Sequence, residues 1–136
     1  EEYYKFKKPG FSDLVNNLGL QYYNAKDFVR ADSAFARVVA YKPEDLIGYK
    51  WRSKCNYNID PDGKLGTGVP FCTKYIELAM AKYEPKYKSD VIDAYKYLAK
   101  VAIMSKDNTK AKDNLKKVLE LEPNDADAKS VLSKLK

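Results

Sequence analysis

The chain has 136 residues, 25 Lys+Arg against 19 Asp+Glu, a net charge of +6, and no histidine. That length fits one domain with its own core. The missing histidine excludes a Ser-His or Cys-His nucleophile pair, a histidine general base and any zinc site built on imidazole, and two cysteines are too few for a four-cysteine site.

Taken in chain order, Glu1-Glu2-Tyr3-Tyr4-Lys5 carries neither the basic flank nor the apolar run of a secretory leader. The first predicted helix runs from Asp13 to Asn24, with Leu14, Val15, Leu18 and Tyr22 spaced three and four apart and Ser12 placed to cap it. It ends near Ala25-Lys26, and Asp27 caps a second helix, Phe28 to Tyr41, whose inward set is Val29, Ala31, Phe35, Val38 and Val39. Pro43 stops it, because proline has no amide hydrogen and disfavours helix at Lys42. A third helix is expected from Glu44 to Asn58 and a fourth from Pro70 to Tyr83, joined by a long turn rich in Asp, Pro and Gly. Two further helices lie between Asp90 and Leu121, with Asp107 capping the second and Pro123 closing it. A last helix, Ala126 to Lys136, has Ala128, Val131, Leu132 and Leu135 on one face. No apolar stretch approaches the roughly 20 residues of a membrane helix, so no membrane insertion is expected.

A shift of 80 residues brings the chain onto itself. Leu18, Gly19 and Tyr22 fall on Leu98, Ala99 and Ala102, while Ala31, Phe35, Val38 and Pro43 fall on Ala111, Leu115, Val118 and Pro123. Lys26-Asp27 falls on Lys106-Asp107. The small residues Gly19/Ala99 and Ala31/Ala111 stand where paired helices would cross closely. In order and spacing, Leu18, Gly19, Tyr22, Ala31, Phe35 and Pro43 resemble the tetratricopeptide repeat, whose period is about 34 residues. The later copy departs from that pattern at Ala102, where the family prefers an aromatic side chain.

The resemblance implies an all-α fold: a right-handed superhelical stack of antiparallel helix pairs with a C-terminal capping helix. The expected organisation is one repeat domain over 1–136: 1–11 the tail of a preceding repeat, 12–45 the first repeat, and 46–89 an irregular second repeat with its long turn at 59–69. The third repeat then spans 90–125 and the cap 126–136. The middle unit resembles irregular repeats of bacterial chains of this family.

Motifs with catalytic potential fail on their surroundings. Asp60-Pro61-Asp62-Gly63 lacks the later oxygen ligands of a calcium loop and is a turn sequence in its own right. Gly66-Thr67-Gly68 lacks the Gly-Lys-Ser/Thr ending of a phosphate loop. Cys55 and Cys72 stand on the two helices of one unit and are read as small buried residues rather than a disulfide. No enzyme, cofactor or metal is expected. Nothing in the chain assigns a compartment, cytoplasm or cell envelope.

The family resemblance implies that the first helix of each repeat lines a concave groove. Projected here, that rule gives Asn16, Leu20, Tyr23 and Asn24, then Lys50, Lys54, Tyr57 and Asn58, then Asp93, Lys96, Lys100 and Ile103. Four lysines among tyrosines and asparagines suit an acidic extended peptide. The family's clamp for chaperone tails is missing, since its places hold Asn16, Leu20, Trp51, Asp93 and Tyr97. The expected function is a non-enzymatic module that binds a peptide or protein, without a small-molecule substrate. The alternative is a structural or assembly segment of a longer repeat protein. Nucleic-acid binding is disfavoured, because the basic charge is modest and mixed with acids.

Overall fold

The computed structural model describes residues 10–136. The expectation of a preceding repeat's tail over 1–11 therefore falls almost wholly outside the described residues. Helix α1 begins as a π-helical stretch, Asp13–Gly19, and continues as α-helix over Leu20–Asn24. It is followed by α2 (Phe28–Tyr41), α3 (Leu46–Ile59), α4 (Val69–Ala81), α5 (Lys88–Met104), α6 (Asn108–Leu121) and α7 (Ala126–Lys134), with a single 3₁₀ turn at Pro85–Tyr87 ahead of α5. Among the described residues there is no strand. Each helix packs on the next in the chain, the arrangement of a quasi-one-dimensional stack.

The recurrence at 80 residues is visible in the backbone. Lys26 and Lys106 both adopt a left-handed conformation, φ 62° in each case. At both places the following amide reaches back five residues, Asp27 to the Tyr22 carbonyl at 2.9 Å and Asp107 to Ala102 at 2.8 Å. That is the Schellman ending of a helix, which satisfies carbonyls left free at its C-terminus. Asp27 and Asp107 then cap the helices that follow, accepting from the amides of Arg30 and Lys110.

Several expectations are corrected at element ends. Ser12 does not cap α1: its own backbone is helical, and its hydroxyl accepts from Asn16 at 3.3 Å. Helix α3 starts at Leu46 rather than Glu44, because the Asp45 carboxylate takes the Ile47 amide at 2.9 Å. Helix α4 stops at Ala81 and α7 at Lys134, each two residues short of expectation, while α5 starts two residues early at Lys88. Val29 is 66% exposed and does not face inward.

The buried side chains form three clusters in succession along the stack. Leu14, Val15, Ala31, Phe35, Val38 and Cys55 make the first. Cys72, Tyr75, Ala79, Val91, Ala94 and Tyr97 make the second, and Ile92, Ala99, Leu115, Val118 and Ala128 the third. Cys55 and Cys72 are both buried and free, and they belong to different clusters. Gly19 explains the close crossing of α1 and α2, because a Cβ there would lie 2.5 Å from the Phe35 ring.

Candidate interaction groove

Helices α1, α3 and α5 carry the projected groove residues, and side-chain contacts link each helix to the next. Between α1 and α3, Asn58 donates to the Tyr23 hydroxyl at 3.3 Å, and the Tyr23 ring meets Trp51 edge-on at 5.1 Å. Trp51 also stacks on Phe35 at 5.6 Å, which fixes it between core and groove. The Lys50 and Lys54 ammonium groups lie 5.3 and 5.6 Å from the Trp51 ring centre, within cation–π range of their aromatic neighbour.

Between α3 and α5 the lysines turn to a carboxylate. Lys54 lies 2.9 Å from Asp90 and Lys50 3.8 Å from the same side chain. Between α5 and α7, Lys96 pairs with Asp125 at 2.9 Å and Asp127 at 3.6 Å. Lys100 donates to the Pro61 carbonyl at 3.3 Å. The projected lysines are thus engaged by their own chain, three of them by carboxylates, and the inner face is close to balanced in charge. Asp93 is flanked by Asp90 and Asp125 as well as Lys54 and Lys96. Burial, helped by the two carboxylates, raises its pKa above the ordinary value.

Lys96, Lys100 and Tyr57 come together with Pro61, Ile103 and Val131 around a cleft of about 450 Å³. The Tyr57 ring sits 5.6 Å from Tyr97, and burial raises the pKa of its hydroxyl. Of the remaining projected residues, Leu20 packs against the first core cluster instead of facing a ligand. Asn16 and Asn24 are exposed on α1, away from the residues that line this cleft.

One wall of the cleft is built by the irregular turn. Asp60, 4% exposed, accepts from the amides of Leu65 at 3.1 Å and Gly66 at 2.9 Å, and from the Tyr97 hydroxyl at 2.6 Å. Burial alone would raise its pKa, but the Tyr97 and backbone hydrogen bonds outweigh it and hold the carboxyl below the ordinary value. Asp60 is therefore the organiser of a closed loop; among the described residues no three potential metal ligands cluster.

Sequence reasoning missed Asp90, Asp125 and Asp127 as groove residues. No periodic signal marks Asp90: the second repeat is longer than the family period, so the position on α5 equivalent to Lys54 is Lys100 rather than Asp90. Pro61 and Val131 had no such signal either, because they enter through the long turn and the capping helix.

No protein-family profile and no curated protein matches the chain. Among solved structures, it is similar to the C-terminal part of a TPR repeat-containing protein from Cytophaga hutchinsonii, with 36% identity over 93% of this chain and a TM-score of 0.80. The chain spans 48% of the length of that structure. It also resembles the first TPR domain of the human RPAP3 protein, at 19% identity, covering 92% of this chain and 91% of that one, with a TM-score of 0.64. Folds of this kind are generally protein–protein interaction modules, and neighbours of this type are typically non-enzymatic. Among the described residues no helix is long and apolar enough to cross a membrane. The repeated helix pairs, the small residues at their crossings and the two structural likenesses identify the chain as a tetratricopeptide-repeat protein, a right-handed superhelical stack closed by a capping helix.

Proposed function

We propose that the chain is a non-enzymatic module that takes a peptide or protein segment on the inner face of α1, α3 and α5, with an acidic ligand side chain seated at the α5–α7 cleft. The observation that supports this reading is the cleft of about 450 Å³ with Lys96 and Lys100 at its edge. Lys100 is exposed and, among the described residues, is held by the Pro61 carbonyl alone, so a carboxylate can take it without breaking an ion pair there. Lys50 and Lys54 are less available, since a ligand there competes with Asp90, and a ligand at Lys96 competes with Asp125 and Asp127, so Lys100 is the first anchor. Ile103 and Val131 give the ligand apolar contact beside the charge.

The test is a fluorescence-anisotropy titration with a short labelled peptide of alternating glutamate and leucine. Lys96→Glu with Lys100→Glu is expected to weaken binding at least tenfold, while Lys116→Glu with Lys129→Glu, an equal charge change on exposed positions outside the cleft, changes it little at moderate salt. Equal losses in the two double variants would reduce the effect to net charge and overturn the site.

A second reading, a structural segment within a longer repeat protein, is favoured by one fact: the chain spans 48% of the Cytophaga structure it matches. Under it the peptide does not bind, and the groove is covered by other parts of the parent chain.

A further inference from the structure

Two charged side chains of opposite sign line the cleft between α5 and α7, and among the described residues neither has an ion-pair partner: Asp93 and Lys100. They stand seven residues apart on α5, close to two helical turns, so they share one face of the helix with their backbones about 10 Å apart. Ile103 continues the same line about 5 Å farther along, and Val131 of α7 lines the cleft with it. The cleft thus presents, in order along α5, an unmatched anion, an unmatched cation and an apolar contact.

Asp93 is open to solvent through the cleft. The lysines whose charge reaches it, Lys54 and Lys96, are each held at 2.9 Å by another carboxylate, Asp90 and Asp125. Crowding by the cleft walls, with repulsion from those same two carboxylates, keeps its pKa above the ordinary value. A cation brought to Asp93 relieves that repulsion and breaks no existing pair.

Lys100 is the converse case. Its partner is the neutral Pro61 carbonyl at 3.3 Å, and a carboxylate makes a stronger, charge-assisted bond to an ammonium group. Lys96, between the two in sequence, is occupied by Asp125 and Asp127. A wholly acidic ligand therefore gains at Lys100 and is repelled at Asp93, and a wholly basic one meets the reverse. A ligand with both charges in the right order satisfies both groups.

We infer, resting on the groove reading above, that the cleft selects a bipolar segment of extended peptide: a basic side chain at Asp93, an acidic one at Lys100 and an apolar one at Ile103 and Val131. In an extended chain alternate side chains share a face and repeat about every 7 Å. The long side chains of lysine and glutamate span the remaining distance to the ~10 Å between the two α5 positions. The ligand is thus narrower in kind than an acidic peptide.

The test titrates the full chain by fluorescence anisotropy with two labelled peptides, both acetylated and amidated: Lys-Ser-Glu-Ser-Leu and Glu-Ser-Glu-Ser-Leu. Each is also made in reverse order, so that both chain directions along α5 are sampled, and the tighter direction is compared. The mixed peptide is expected to bind about threefold more tightly or better. Long-range attraction works against that result, because the chain carries +6 and the acidic peptide the larger negative charge. Asp93→Asn removes a charge that no partner holds, so the fold is kept, and it is expected to bring the two affinities together; Lys100→Gln is expected to weaken both peptides. Equal or weaker binding of the mixed peptide, or a preference that survives in Asp93→Asn, overturns the inference. Binding of the acidic peptide that still depends on Lys100 would then leave the groove reading standing, whereas no binding of either peptide overturns both.

Discussion

Tyr97 donates its hydroxyl proton to Asp60 at 2.6 Å and accepts from the Gly68 amide at 3.1 Å, so one phenol oxygen fastens both ends of the 60–68 loop to α5. Tyr97→Phe leaves the buried Gly68 amide without its partner and Asp60 one donor short. A loss of about 2–3 kcal/mol is expected in urea unfolding, the size typical of removing a hydrogen bond to a buried charge. Tyr23→Phe is the contrast. Its hydroxyl accepts from an exposed asparagine at 3.3 Å, and its removal is expected to stay within about 0.5 kcal/mol.

Two glycines of the same loop separate conformational strain from collision. Gly63 and Gly66 both lie at positive φ, 73° and 71°. A Cβ on Gly63 would stand 2.8 Å from the Val101 amide nitrogen, whereas on Gly66 the nearest atom is a Val101 methyl at 3.4 Å. Gly66→Ala is expected to cost about 1–2 kcal/mol from the left-handed backbone alone. Gly63→Ala adds a collision with backbone that cannot rotate aside, about 1–3 kcal/mol more. Equal losses in the two unfolding curves would show that the loop yields to the added methyl.

The helical pairs were legible in the sequence because their signals are local or recur at a fixed offset. Asp27 and Asp107 cap, Pro43 and Pro123 close, and Gly19 meets Phe35 where a small residue was required. The groove was legible only as far as its helices. Lys50, Lys54, Lys96 and Lys100 lie on the helices expected to line it, but their charges are spent on Asp90, Asp125, Asp127 and the Pro61 carbonyl. Those partners are set by the angle between neighbouring pairs, which periodicity does not encode. Val29 failed for a related reason: helical spacing marks a face, but only the next helix decides how wide that face is.

The carboxylates with shifted pKa values give opposite dependences on pH. In Asp125 the Lys96 pair and the Ala128 amide lower the pKa, and in Asp60 hydrogen bonds overcome burial to do the same. A folded pKa below the ordinary 3.8 means stability present above that pH and lost as pH falls through the folded value. Asp93 is raised, so its charge weakens the fold at neutral pH and protonation relieves it. Asp93→Asn is therefore expected to raise the urea midpoint at pH 7, with the gain disappearing below about pH 4. Asp125→Asn is expected to lower the midpoint at pH 7, with the deficit shrinking under acid. Midpoint differences that hold constant from pH 7 to pH 3 would rule out titration as the source of either effect.

The thiols report on which part of the stack opens first. Cys55 and Cys72 are both fully buried, and burial pushes their pKa values up to about 12 and about 11, so at pH 8 neither holds an appreciable thiolate population in the folded chain. Only thiolate attacks an aromatic disulfide reagent, and reaction must therefore wait for opening. If the repeats unfold together, both thiols react at the same rate, and the rate rises with urea as global stability falls. If the α4 end of the irregular repeat opens on its own, Cys72 reacts first, because it belongs to the second cluster while Cys55 belongs to the first. Single Cys→Ala variants assign each rate. Tyr97→Phe should then accelerate Cys72 more than Cys55, since Tyr97 shares the Cys72 cluster and holds the loop that leads into α4.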